Sequence, residues 1–311
     1  MKRLLLGPRS VTEALRANAA ELSVVYVSDE PRRDLGELAD EARKRSVVVE
    51  ARSIAELDKL AKGDRHQGVV AIGGSYPYLS FEELLAKLPE RALLVALDEI
   101  TDPHNFGAIV RSAVAFGAHG ILTLKQRAAP VTPVVVRASA GATEHALIAR
   151  VTNLASALSS LADQGYDVIG LAAEGASDLR QRGARAGSCV LVVGSEGRGL
   201  RRLVRERCTE LVRIPMAGPI ESLNASVAAA IALYALSAPD TAAAQSGAPT
   251  PRRVVAARAS DERSSRSPSA RASDERSKPV DEAWHDSGDE TEQEGSGPER
   301  AVWDDDSPFP K

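Results

Sequence analysis

"VVGSEGRGLRRL", residues 192–203, runs from a β-branched apolar pair into a glycine-rich loop and on into a basic, helix-forming stretch. Strand, glycine loop and helix in that order form a phosphate cradle when the loop lies beyond the carboxyl end of a parallel strand. The spacing here is GxxGxG, which is neither the GxGxxG of dinucleotide folds nor a P-loop ending in Lys-Ser/Thr. Glu196 stands between the glycines, and its carboxylate would compete with a phosphate for the same backbone donors. The stretch therefore argues for a neutral or cationic ligand, or a hydroxyl that needs an acceptor. A plain glycine turn with Glu196 as helix cap also fits these residues.

Outward from this loop, apolar β-rich runs alternate with helical stretches: "ALLVALDEI" (92–100), "HGILTL" (119–124), "LIARV" (147–151), "YDVIGLA" (166–172), "SCVLVVG" (188–194) and "ELVRIPM" (210–216). Runs this apolar, separated by helices, predict a parallel, doubly wound sheet that binds ligands beyond the carboxyl ends of its strands. The first eighty residues repeat the alternation with "RLLLG", "LSVVYVS", "SVVVEA" and "GVVAIG", separated by helices expected at 10–20, 34–45 and 53–62. Ser10 with Glu13, Ser53 with Glu56 and Ser80 with Glu83 have capping-box spacing. The proline-punctuated "YPYLSFEELLAKLPE" predicts a linker over 77–90 between an α/β domain at 1–76 and a second at 91–238.

From about residue 239 the chain turns to Ala, Ser, Pro, Arg and acid, with "ARASDERS" repeated at 257–264 and 270–277, which predicts a disordered low-complexity tail. The formal charge of -4 hides an asymmetry: residues 240–311 hold 10 basic and 16 acidic groups, so the rest of the chain is slightly basic and suited to an anionic partner. The 2 cysteines form no disulfide framework and have no metal-ligand spacing, so no metal is expected. The apolar run at the N-terminus is too short for a signal peptide, and "ASVAAAIALYALSA" (225–238) falls short of the roughly 20 residues of a membrane span, which predicts a cytoplasmic protein.

Three stretches begin where expected strands end, and that shared location predicts one pocket. In "TDPHNFGAIVRSAVAFGA" (101–118), Asn105 is placed as the N-cap of a helix whose apolar face is Ile109, Ala113 and Phe116. Arg111 lies too far along that helix to cap it; a solvated arginine and a functional one both fit. After the loop at 194–199, Arg198, Arg201, Arg202 and Arg205 are expected on one helical face, suited to phosphates, with Glu206 able to pair within it. In "AGPIESLNASVAAAIALYAL" (217–236), Ser222 is expected to cap an alanine-rich helix, with Leu223 and Asn224 in its first turn.

Together "DPHNFGAIVRSA", "VVGSEGRGL" and "IPMAGPIESLNASVAAAIAL" resemble the three ordered motifs of the SPOUT, or trefoil-knot, RNA 2'-O-ribose methyltransferases. "RLLLGPRSVTEAL" and "RHQGVVA" resemble the substrate-binding domain of that family, which has a ribosomal-protein-like α/β fold. With both parts, the chain most resembles bacterial 23S rRNA guanosine 2'-O-methyltransferases; residues 239–311 have no counterpart. The resemblance implies a knotted methyltransferase domain, S-adenosylmethionine as cofactor, RNA as substrate and a homodimer. It places Gly194, Ile214 and Leu223 around the cofactor, with Met216 and Ser222 beside them. It carries the polar active-site positions onto Asn105, Arg111, Glu196 and Asn224, and places "SAGATE" (139–144) toward the substrate. A tRNA ribose methyltransferase, a catalytically silent RNA-binding module and a dinucleotide oxidoreductase are the alternatives. The last requires a GxGxxG that "LGPRSV" does not supply.

Overall fold

The computed structural model describes residues 2–30, 32–183, 186–219 and 222–237; the expected tail lies outside the described residues. The first half contains β1 (Arg3–Leu6), α1 (Pro8–Asn18), β2 (Leu22–Ser28), α2 (Arg33–Lys44), β3 (Val48–Arg52), α3 (Ile54–Ala61) and β4 (Val69–Gly73). These strands form a mixed sheet in the order β1-β4-β2-β3, antiparallel except for the β2/β3 pair. Its amphipathic helices bury Val11, Leu15, Leu35 and Leu38 against Leu5, Val25 and Ala71.

The second half contains α4 (Phe81–Leu85), β5 (Leu93–Asp98), α5 (Pro103–Ala115), β6 (Gly120–Leu124), α6 (Pro133–Ala138), β7 (Ile148–Val151), α7 (Leu154–Asp163), β8 (Asp167–Leu171), β9 (Ser177–Asp178), α8 (Leu179–Arg182), β10 (Cys189–Gly194), α9 (Arg202–Arg205), β11 (Glu210–Arg213) and α10 (Ala225–Leu236). Its strands form one parallel sheet in the order β7-β6-β5-β10-β8-β11-β9. The missing polar alternation in β5 and β10 has a direct cause, because both faces are covered. Val95, Leu97, Leu191 and Val193 pack under Phe106 and Ile109 of α5 and Ala229 and Leu233 of α10. Leu94, Ala96, Val190 and Val192 pack under Leu84 of α4 and Leu154 and Leu158 of α7 on the other side. Each Val, Leu, Ile or Phe among them contributes about 1.5–3 kcal/mol by leaving water.

Residues 77–90 are built into this second half. Leu84 is fully buried, and Leu79 bridges to Ala149 at the sheet edge. The capping boxes at Ser53 and Ser80 form as expected. The one expected at Ser10 does not. α1 starts two residues earlier, capped by Gly7 at φ 90° with Pro8 in the first position, where a missing N–H and a fixed φ favour a helix start. Ser10 is consequently buried inside the first turn, and Glu13 pairs with Arg16 and His145.

Candidate active site

The carboxyl ends of β8, β10 and β11 open into a cavity of about 490 Å³, lined by residues 171–174, by the loop 193–200 and by residues 214, 216, 222–225 and 228. The volume lies within the usual range for a small-molecule site, about 300–1,000 Å³. Gly194, Ile214, Met216, Ser222 and Leu223 all line it, as do Glu196 and Asn224. Met216 and Leu223 are large apolar side chains left 39% and 37% exposed, which is what the wall of an open ligand pocket requires.

Glu196 joins the motifs. Its Oε1 accepts a hydrogen bond of 2.8 Å from Asn105 Nδ2 and one of 2.7 Å from Asn224 Nδ2. The asparagines enter from the starts of α5 and α10, so one carboxylate oxygen ties three segments distant in sequence. Neither the expected Asn105 cap nor the Ser222 cap forms. Asp102 caps α5 by accepting from the backbone N–H of His104 and Asn105, which leaves the Asn105 side chain free to reach Glu196. Asn224 caps α10: its Oδ1 accepts from the N–H groups of Ser226 and Val227 while its amide donates to Glu196. A helix cap needs an extended residue followed by the first turn, and at both helices another residue than the expected one has that backbone conformation.

Gly194 is required for a reason the sequence did not reveal. A Cβ there would lie 2.2 Å from the backbone carbon of Gly199, because the loop folds back on its own start and Gly199 N–H donates to Ser195 O at 2.9 Å. The expected arginine face is also corrected. α9 is a single turn, and of the four arginines Arg202 pairs with Glu206, Arg205 with Glu174 and Arg201 with Asp98. The loop's glycines at positive φ, Gly197 and Gly199, end the helix pattern that the arginine spacing suggested.

Arg111 stands apart from the cavity, exposed on α5 and without a hydrogen bond or ion pair among the described residues. "SAGATE" lies between the two halves. Glu144 pairs with Arg3 at 2.8 Å, Tyr76 donates to the carbonyl of Thr143, and Gly141 lies against Glu13. Burial raises the Glu144 carboxyl above its ordinary range despite Arg3. The sequence reading missed Leu171, Ala172, Ala173 and Glu174, which line the cavity from the carboxyl end of β8. Their position after a parallel strand was the available signal. Neither cysteine is in a disulfide; Cys189 is fully buried, and burial pushes Cys208 up to about 11.

The profile described as "SpoU rRNA Methylase family" matches residues 92–234, and that described as "RNA 2'-O ribose methyltransferase substrate binding" matches residues 4–79. A protein of Mycolicibacterium vanbaalenii named as an uncharacterized tRNA/rRNA methyltransferase is 46% identical over 241 residues, 74% of each chain. The chain belongs to the SpoU family of RNA methyltransferases. The family fold is a trefoil knot, and its members use S-adenosylmethionine. Among solved structures, the SpoU methyltransferase AviRb of Streptomyces viridochromogenes, in complex with AdoMet, is 27% identical, with a TM-score of 0.62 over 75% of this chain and 88% of its own. The AdoMet-bound rRNA methyltransferase of Sinorhizobium meliloti is 26% identical, with a TM-score of 0.63 over 75% of this chain and 85% of its own. Among the described residues no helix is long and apolar enough to cross a membrane, and no group of three metal-ligating side chains occurs.

Proposed function

We propose that this SpoU-family chain methylates a ribose 2'-hydroxyl of RNA, a guanosine in 23S rRNA, using S-adenosylmethionine held in the cavity beside Glu196. The observation that carries the reading is the Asn105–Glu196–Asn224 junction at that cavity, where all three motifs meet. The residues present fit the cofactor: the volume is sufficient, Met216, Leu223 and Ile214 offer apolar walls, and Glu196 offers negative charge to a sulfonium. When bound, S-adenosylmethionine supplies an electrophilic methyl group.

The chain's own residues do the rest. Gly194 keeps the loop folded so that its backbone faces the cavity, and Asn105 and Asn224 hold Glu196 in one position. Glu196 acts as acceptor for the attacking hydroxyl, since Oε2 has no hydrogen-bond partner among the described residues. Arg111, exposed and without a hydrogen bond or ion pair among the described residues, binds an RNA phosphate and stabilises negative charge developing on the ribose oxygen once the RNA is bound. A guanidinium holds its proton too tightly to act as a base, so the proton does not go there. The domain at 1–76, joined through 77–90 to the methyltransferase domain at 91–238, holds the RNA.

α10 exposes Val227 (47%), Ile231 (40%) and Tyr234 (71%) at i, i+4 and i+7, and this apolar stripe supports a homodimer formed through α10, acting in the cytoplasm where its substrate is made. Methyl incorporation into purified 23S rRNA and tRNA, followed by mapping of the methylated ribose, tests the function. Arg111→Ala should lower turnover at least about 100-fold and leave S-adenosylmethionine affinity within twofold; near-normal turnover removes Arg111 from the mechanism. Tyr234→Glu should convert the dimer to a monomer by light scattering.

A further inference from the structure

The loop that carries Glu196 is fastened at its far end by a charge that no family motif accounted for. Asp98, the last residue of β5, is fully buried and lies opposite Gly194 in the β5/β10 register. Its Oδ2 accepts the backbone N–H of Arg201 at 2.8 Å, and its Oδ1 accepts Arg201 Nε at 2.7 Å and lies 2.7 Å from Nη2. The next residue, Glu99, adopts φ 58°, a left-handed conformation unusual for a side-chain-bearing residue, and its carboxylate lies 3.4 Å from Arg201 and 3.0 Å from Arg127. The Arg201 guanidinium thereby joins the carboxyl ends of β5 and β10, and Arg127, just after β6, adds a second guanidinium through Glu99.

We infer that Arg201 is a positioning residue for the cofactor pocket. By binding Asp98 with both backbone and side chain, it closes the Ser195–Leu200 loop over Gly194 and sets the height of Glu196 beneath the two asparagines. The inference rests on the methyltransferase reading and goes beyond it. It assigns to loop geometry an arginine whose type and spacing suggested an RNA contact. The geometry requires this assignment for two reasons. A buried carboxylate without its cation is strongly unfavourable, so Asp98 fixes where residue 201 must lie. Between 194 and 201 the chain has little slack, since Gly199 already touches Gly194. Arg201 is also committed to two carboxylates, whereas a phosphate-binding arginine keeps its donors free.

The test measures S-adenosylmethionine binding by titration calorimetry alongside RNA binding at several salt concentrations. Arg201→Gln should weaken cofactor binding at least tenfold, and Arg201→Lys, which restores the charge without the fork, should recover part of the loss. The salt dependence of RNA binding should not change, because no phosphate contact is removed. Arg182→Gln controls for stability: Arg182 pairs with Glu210 and Asp167, the first residues of β11 and β8, at the opposite end of the sheet, so it should lower Tm and leave cofactor affinity alone. Unchanged cofactor binding in a folded Arg201→Gln protein overturns the inference, and so does a smaller RNA salt slope with cofactor affinity intact. A wild-type protein that binds no S-adenosylmethionine would instead overturn the methyltransferase reading.

Discussion

Two glycine turns, one in each half of the molecule, are held in opposite ways. The turn at 65–68 before β4 is braced first by one of its own side chains, with Arg32 adding a hydrogen bond of 3.1 Å to the carbonyl of Gln67. Gly68 N–H donates to His66 Nδ1 at 3.1 Å, His66 Nε2 meets Asp58 at 2.9 Å, and a Cβ on Gly68 would strike Leu35 at 2.8 Å. The turn at 194–199 is held from far along the chain, by Asn105, Asn224 and Asp98. A turn braced chiefly by one of its own side chains completes a fold. One whose polar groups are held by distant elements brings those elements to a common point, and a site can form there.

That contrast can be broken by substitution. Gly194→Ala should have the largest effect, loss of measurable S-adenosylmethionine binding, since the added carbon meets backbone that cannot move without opening the loop. Asn224→Ala removes one of the two amides on Glu196 together with the α10 cap, and should lower turnover roughly tenfold while costing about 1 kcal/mol of stability. Gly68→Ala should cost about 1–3 kcal/mol in a denaturation experiment, through the Leu35 clash and the φ of 85°, yet leave cofactor affinity untouched. A drop in affinity there would erase the distinction between the turns.

The smallest effect belongs to the purely local cap at Ser53. Hydrogen bonds from the Ser53 backbone and hydroxyl hold the Glu56 carboxyl below its ordinary value of 4.5. A lowered folded-state pKa contributes stability that is present above 4.5 and is lost as pH falls through the folded value. Ser53→Ala should therefore lower Tm by a few degrees at neutral pH, and the difference should narrow in acid, where the hydroxyl's bond to the Glu56 carboxylate is lost while its cap of the Glu56 N–H remains.

Patterning exposed the parallel sheet because β5 and β10 are apolar on both faces, and it pointed to one pocket because each motif follows a strand. It failed where backbone entry angle decides the outcome. Ser10, Asn105 and Ser222 have suitable side chains for capping, but Gly7, Asp102 and Asn224 occupy the capping conformation. It failed again over distance. Asp98 and Arg201 are 103 residues apart, and helical spacing assigned Arg201 to a solvent-facing stripe. The reason for Gly194 was illegible for a related cause, since the atom it must avoid belongs to a turn whose closure no local pattern encodes.

The place of β10 in the sheet also bears on how the chain is made. Its neighbours are β5, which the ribosome delivers about a hundred residues earlier, and β8. Until β10 emerges, on the order of 10 s later at typical rates of synthesis, β5 presents an open strand edge, apolar up to its final Asp98, of the kind that templates unwanted pairing. The strand that ends in the glycine loop is thus the last piece of the sheet's centre to arrive. A nascent chain stalled just before it would be the species most in need of a chaperone.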